Sequence, residues 1–263
     1  MGKKLTFPTR SFGSESTIPT PGDLAEWVSG RRGREGDLTT YHIEQTLLPQ
    51  IRAKIDSACA GGLFYMSRLT DAFTGVADSR IIEEIGCDSG RIADDADECV
   101  QMKKDVWFCL PAPHNLGILD EYYGDSDEAG QALYGAYKIL ARSMRDRGIH
   151  GHVLAGTSVI PEEMEALSGK KTYFLAFNPS KDEIETILEF QRDIAVSSVN
   201  IPDLVRAMDE YEVGTIILLD PTRESLLELI DHRDADTIMT GGYCPGECSS
   251  YWDHLVNDSS IST

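Results

Sequence analysis

Cys244 and Cys248 stand four residues apart in the run Cys244-Pro245-Gly246-Glu247-Cys248, the sharpest local pattern in the chain. Residues four apart share one helix face, and a helix N-terminus favours a thiolate, so the spacing predicts a lowered pKa for Cys244. Such a pair offers two ligands to zinc, with His254 or His114 completing the set, or a redox couple. The gap differs from the two-residue gap of zinc knuckles and thioredoxin-like sites, and no second pair occurs. The competing reading is two half-buried cysteines packed as small hydrophobes.

Other candidates follow from position. In Cys109-Leu110-Pro111-Ala112-Pro113-His114-Asn115 an imidazole stands just past an apolar run. Imidazole titrates near neutrality, which makes His114 the leading general acid/base; the bland alternative is a loop hydrogen-bonder. Asp220, before Pro221, is the second proton-transfer candidate, and equally a helix cap. Arg68, in a polar loop after the first apolar run, and Asn178 are candidates to orient a substrate. Thr240, Gly241 and Gly242 follow the last apolar run, where free backbone N–H groups ahead of a helix would hold a phosphate or carboxylate. A double glycine also marks an ordinary tight turn. The triphosphate loop, the dinucleotide glycine fingerprint, the serine-hydrolase elbow and the zincin pair are all absent from the sequence.

These residues need elements to position them. Apolar runs near residues 63, 107, 153, 174, 195, 216 and 238, with a weaker one at Gly90-Arg91-Ile92-Ala93, read as strands. Helical spacing is predicted for Thr39 to Ala60, Asp78 to Gly86, Asp94 to Lys104, Ser126 to Arg147 and Cys244 to Val256, with Pro49 kinking or dividing the first. In the second half, strands and capped amphipathic segments alternate: Ser180 with Glu183 forms a capping box, and Asn200 and Asp220 precede prolines. That alternation describes βα units on a parallel sheet. Eight strands predict a (β/α)8-barrel-like parallel sheet; seven would suit an open doubly wound α/β sheet. In both, ligands bind at the carboxyl ends of the strands, where the candidates above fall. Residues 1–38, rich in Gly, Pro, Ser and Thr, read as an irregular N-terminal arm, and 39–263 as a single domain.

The chain has 263 residues and a formal charge of −20, with 24 Asp and 20 Glu against 15 Arg and 9 Lys. That field repels phosphate backbones and anionic lipid, which disfavours nucleic-acid and membrane partners. The basic run Arg31-Arg32-Gly33-Arg34 reads as a solvated loop. Two origins fit the acidic excess equally: adaptation to a salty cytoplasm, and an ordinary acidic cytosolic protein. No apolar run reaches membrane-span length, and the first residues lack a secretory apolar stretch. Six cysteines in such a chain predict free thiols and a reducing cytoplasm.

The leading expectation is a cytoplasmic enzyme acting on a small phosphorylated or carboxylated metabolite. Lyase, isomerase or aldolase chemistry fits better than hydride transfer. Asp220 or His114 would move protons, Arg68 and Asn178 would orient the substrate, and Gly241-Gly242 would hold its anionic group. The alternatives are a metal- or redox-linked protein using Cys244 and Cys248, with zinc the candidate cofactor, and a non-catalytic barrel subunit or ligand sensor. Self-association is compatible with each.

Overall fold

The computed structural model describes residues 4–31 and 35–262. Two four-stranded sheets, parallel throughout, organise it. The strands are β1 (Thr9–Ser14), β2 (Cys59–Gly61), β3 (Trp107–Pro111), β4 (His152–Gly156), β5 (Thr172–Ala176), β6 (Ile194–Val196), β7 (Ile216–Leu219) and β8 (Ile238–Cys244). One sheet runs β6-β7-β8-β1, the other β2-β3-β4-β5. A parallel bridge between Arg10 and Ser57 joins them through β1 and the approach to β2. Strand order therefore follows chain order from β1 to β5 on one side and from β8 back to β6 on the other.

At the remaining edge no backbone ladder joins β5 to β6 among the described residues. The side-chain amide of Gln191, at the end of the helix Lys181–Phe190, stands there instead. Its Oε1 accepts from the Phe174 backbone N–H at 2.9 Å and its Nε2 donates to the Phe174 carbonyl at 3.1 Å.

Helices alternate with the strands because every strand must be covered on its outer side. Period-two alternation divides each strand between two cores. On β4, Val153 and Ala155 face an inner cluster while Leu154 faces an outer one. On β7, Ile217 faces inward, and Ile216 and Leu218 pack outward against helices. The inner cluster draws side chains from every parallel strand, from Phe12 of β1 through Cys59, Cys109 and Ala195 to Met239 of β8. The helices are capped as the sequence predicts at Ser180, where side chain and backbone bond reciprocally with Glu183. Ser126–Asp146 and the strands near 107, 153, 174, 195, 216 and 238 also fall where the spacing puts them.

Several expectations are corrected. The segment 1–38 is not an irregular arm: β1 is buried at every residue and sits inside the parallel sheet, and Pro21–Gly30 is a capped helix. Polar Thr9, Arg10, Ser11 and Ser14 hid it, since these residues are buried only through non-local pairing. The first helix ends at Ala53 with Lys54 in a left-handed cap and runs through Pro49, leaving Cys59–Gly61 as strand. Leu63–Tyr65 is a 3₁₀ turn following that strand. Asp78 to Gly86 is not helical: Phe73–Ala77 and Arg80–Cys87 pair as an antiparallel hairpin around Asp78 and Ser79, both left-handed. Gly90 to Ala93 opens the helix Gly90–Met102 rather than forming a strand. Of the basic run, Arg32, Gly33 and Arg34 lie outside the described residues, while Arg31 is 4% exposed and paired with Glu44 and Glu98. No described helix is long and apolar enough to cross a membrane.

Candidate functional site

Parallel strands bring their carboxyl ends to one face, and three hydrogen-bonded pairs of ionisable groups stand there. The first is His114, in the 3₁₀ turn Pro113–Leu116 after β3. Its Nδ1 lies 2.8 Å from Glu163 Oε2, and its backbone N–H donates to Glu163 Oε1 at 2.7 Å. Glu163 comes from the helix Pro161–Leu167 and is 5% exposed. A carboxylate bound to Nδ1 fixes ring and tautomer, and Nε2 is enclosed without a protein partner. Gly156, the last residue of β4, makes room for the ring: a Cβ there would lie 2.6 Å from His114 Cε1.

The second pair is Glu15 with Tyr243. The Tyr243 hydroxyl donates to Glu15 Oε1 at 2.6 Å and accepts from the Leu63 backbone N–H at 2.9 Å. Burial above all, together with the hydrogen bond to the Glu15 carboxylate, pushes the phenol well up. The Phe177 ring meets Tyr243 edge-on at 4.9 Å, and with Leu63 these rings cover the inner core.

The third pair is Asp220 with Tyr251. Asp220 follows β7 in a left-handed conformation, φ 46°, and its backbone N–H donates to the Gly241 carbonyl. Its Oδ1 accepts from the Tyr251 hydroxyl at 2.5 Å. Desolvation by the surrounding chain raises the Asp220 carboxyl, against the lowering effect of the Tyr251 bond. Asn178, also left-handed at φ 53°, stands exposed two residues past β5. Asn and Asp tolerate this conformation better than other side-chain-bearing residues.

The remaining candidates lie elsewhere or in other conformations. Arg68 is not in a loop: it lies in the helix Met66–Asp71 and is held by Asp37 at 2.5 Å and Asp95 at 3.0 Å. Thr240, Gly241 and Gly242 are buried inside β8 rather than in a turn before a helix. Thr240 hydrogen-bonds to Ser259 and the Pro8 carbonyl, and a Cβ on Gly241 would lie 2.7 Å from the Arg10 carbonyl. Gly241 thus serves close strand packing, whereas a Cβ on Gly242 would collide with the Tyr251 hydroxyl and lie 3.2 Å from Asp220 Oδ1, so Gly242 makes room for the third pair. Both lie within a strand, and their N–H groups do not form an anion-binding turn ahead of a helix.

The cysteine pair is also corrected. Cys244 ends β8, and only Cys248 belongs to the final helix, Cys248–Asp258. The hydrogen bond between them, followed by burial, pushes the Cys244 thiol up, and the same bond lowers Cys248. The expected lowering of Cys244 by a helix N-terminus is therefore reversed, since Cys244 lies in the strand and is the raised member of the pair. Among the described residues no three His, Cys, Asp or Glu side chains converge to hold a metal, so neither His254 nor His114 completes a zinc set. All six cysteines are free.

No local pattern in the sequence marks Glu15, Glu163, Tyr243 or Tyr251 as a site residue. Each belongs to the site through a partner far away in sequence: 228 residues separate Glu15 from Tyr243, and 49 separate His114 from Glu163. No local spacing announces such pairs.

Strand order, layering and site placement define a parallel α/β protein with its ionisable pairs gathered at the strand ends. No family model matches the chain, and no curated protein matches it. Among solved structures, it is similar to a Listeria monocytogenes protein provisionally named a vitamin-B12 independent methionine synthase. That likeness has a TM-score of 0.66 and covers 96% of both chains at 14% identity, so the fold is what they share.

Proposed function

We propose that this chain is a cytoplasmic enzyme of (β/α)8-barrel type acting on a small carboxylated or phosphorylated metabolite at the carboxyl ends of its strands. Support for the barrel comes from the inner cluster, fed by every parallel strand, and from Gln191, whose amide supplies a donor and an acceptor where the ladder is open. A doubly wound sheet reverses its strand order at a switch point, whereas here order follows the chain. The observation that carries the enzymatic reading is the carboxylate–imidazole pair of Glu163 and His114, with Nε2 left unbonded. In this reading Glu163 orients the ring and His114 Nε2 moves a proton, as lyase or isomerase chemistry requires. Asp220, raised by desolvation, serves as the second acid/base with Tyr251 beside it. Asn178 orients the substrate. The Listeria protein's name adds one consideration, since methionine is itself a small carboxylate-bearing metabolite.

A second reading, a non-catalytic barrel subunit or ligand sensor, is favoured by the Phe177 and Tyr243 rings packed over the inner core at the same face.

The test begins with thermal-shift screening of carboxylated and phosphorylated metabolites, because a bound ligand raises apparent stability by mass action. Turnover of each hit is then assayed in His114→Ala and Asp220→Asn. The enzyme reading expects a loss of about 10²–10⁴-fold in turnover for each variant with the unfolding midpoint unchanged. A metabolite that binds and is never converted by the unmodified protein leaves the sensor reading. Parallel loss of stability in both variants assigns His114 and Asp220 structural roles.

A further inference from the structure

Arg10 is the second residue of β1, 9% exposed, and it shares the inward strand face with Phe12. Its guanidinium carbon lies 4.5 Å from the ring centroids of Trp107 and Tyr173 and 5.0 Å from that of Phe12. Three aromatic faces thus hold the plane of a permanently charged group inside the inner core. Charged groups are normally buried only with a counter-charge and filled hydrogen bonds. Among the described residues no such partner is present: Nε and Nη2 are both enclosed with no protein acceptor, and the neighbouring Tyr173 hydroxyl is likewise unbonded.

The same side chain borders a cavity of about 630 Å³ at the amino ends of the strands, opposite the face described above. Trp107, Thr172, Gln191 and Asp193 contribute to its wall, so it opens where the ladder between β5 and β6 is interrupted. Lys170 adds a positive charge to the wall, as does Arg192, which also pairs with Glu212. Asp193 is the acid there, and its Oδ1 is already engaged by the Thr215 backbone N–H at 2.8 Å. In a chain of charge −20, a cavity walled by three cations and one acid is an inversion of the prevailing field.

We propose that this cavity is a binding site for a small oxyanion, the carboxylate or phosphate group of a metabolite, with Arg10 as its receptor. Arg10 lines the cavity and carries a permanent charge that no acidic group among the described residues neutralises, the kind of group that carboxylate and phosphate oxygens pair with. The aromatic stack fixes the guanidinium plane before the ligand arrives, so less freedom is lost on binding. The Tyr173 hydroxyl supplies a further donor, and Lys170 attracts the anion to the opening. The site is separate from the His114 and Asp220 pairs and does not depend on their being catalytic.

The experiment titrates the full chain with inorganic phosphate and, separately, with benzoate, against chloride at matched ionic strength. Thermal midpoint and tryptophan fluorescence are read together, since Trp107 stacks on Arg10 and lines the cavity. The proposal expects a saturable response to one or both oxyanions that chloride does not give; the arm that responds identifies the group. Arg10→Met is expected to weaken it by roughly ten- to a hundredfold, the cost of losing charge-assisted hydrogen bonds. Arg10→Met is also expected to leave the ligand-free protein as stable or more so, because an uncompensated buried charge is removed. Trp107→Phe should abolish the local fluorescence change while the thermal response persists. A response no larger than that to chloride overturns the proposal, as does full retention of binding in Arg10→Met. Should that variant fail to fold, Lys170→Glu decides: weaker binding supports the site, and unchanged binding at low salt overturns it.

Discussion

Arg68 spends its charge inside the fold, bridging Asp37 and Asp95 while Asp95 also accepts from the Tyr65 hydroxyl at 2.8 Å. Burial dominates at Asp95 and, despite those bonds, lifts its carboxyl to about 6. Burial acts the same way on Asp37, but bonds from Arg68 and Thr40 outweigh it and hold that carboxyl at about 2. The two aspartates therefore pull stability in opposite directions with pH. Asp95 holds its proton more tightly in the native state, so its contribution is full below the ordinary carboxylate value and is lost as pH rises through about 6. Asp37 contributes above the ordinary value of 3.8, and that is lost as pH falls toward about 2. In Asp95→Asn, the stability change between about pH 4.5 and pH 7.5 is expected to be smaller than in the parent, measured by denaturant unfolding. An identical pH profile in the two proteins would refute a raised Asp95. Sequence alone shows Arg68 only as a residue type; its two acidic partners belong to different helices, Asp37 capping Leu38–Ala53 and Asp95 inside Gly90–Met102, and spacing along the chain does not reveal them.

Elements differ in how far local sequence fixes them. The helix Lys181–Phe190 carries its cap, its acidic first turn and its apolar stripe within its own residues, and it forms where they indicate. β1 carries none of these marks. Its polar side chains are buried because β8 lies on one side and the approach to β2 on the other. Gln191 is the reverse case, a side chain standing in for backbone between β5 and β6. Gln191→Leu leaves the Phe174 N–H and carbonyl without these partners. It is expected to cost about 1–3 kcal/mol in unfolding free energy, the net worth of two half-buried hydrogen bonds. Gln191→Glu keeps an acceptor for the Phe174 N–H but loses the donor, and is expected to fall between the parent and Gln191→Leu. A cost indistinguishable from zero in Gln191→Leu would show that water replaces the amide freely.

For the molecule as a whole, the charge of −20 acts through self-repulsion that salt screens. Raising salt from about 0.1 M to 1 M shortens the screening length from about 10 Å to 3 Å, so the thermal midpoint is expected to rise. The exposed ion pairs, such as Arg147 with Asp97 and Arg206 with Asp203, weaken under the same screening but each contributes little. A midpoint that stays flat or falls across that range would count against adaptation to a salty interior. The same scale separates the two faces of the sheets. Carboxyl ends gather His114, Tyr243 and Asp220 with their partners, and amino ends gather Arg10 and its aromatic stack. Activity assays on the first set and anion titration on the second therefore report independently.

The alternation of apolar runs with capped amphipathic segments is local information, and from it the sequence by itself determined a parallel α/β architecture and most strand positions. The net charge and the lack of a helix fit to cross a membrane are likewise written in composition. Tertiary structure alone decided which polar residues meet. Asp220 finds Tyr251 across 31 residues, and Glu15 finds Tyr243 across most of the chain. It also placed Gly241 and Gly242 within a strand, and set an arginine among aromatic rings. The physical reason is that parallel pairing unites segments far apart in the chain. A residue's burial and hydrogen-bond partners then depend on register and strand order, which no window of local sequence contains.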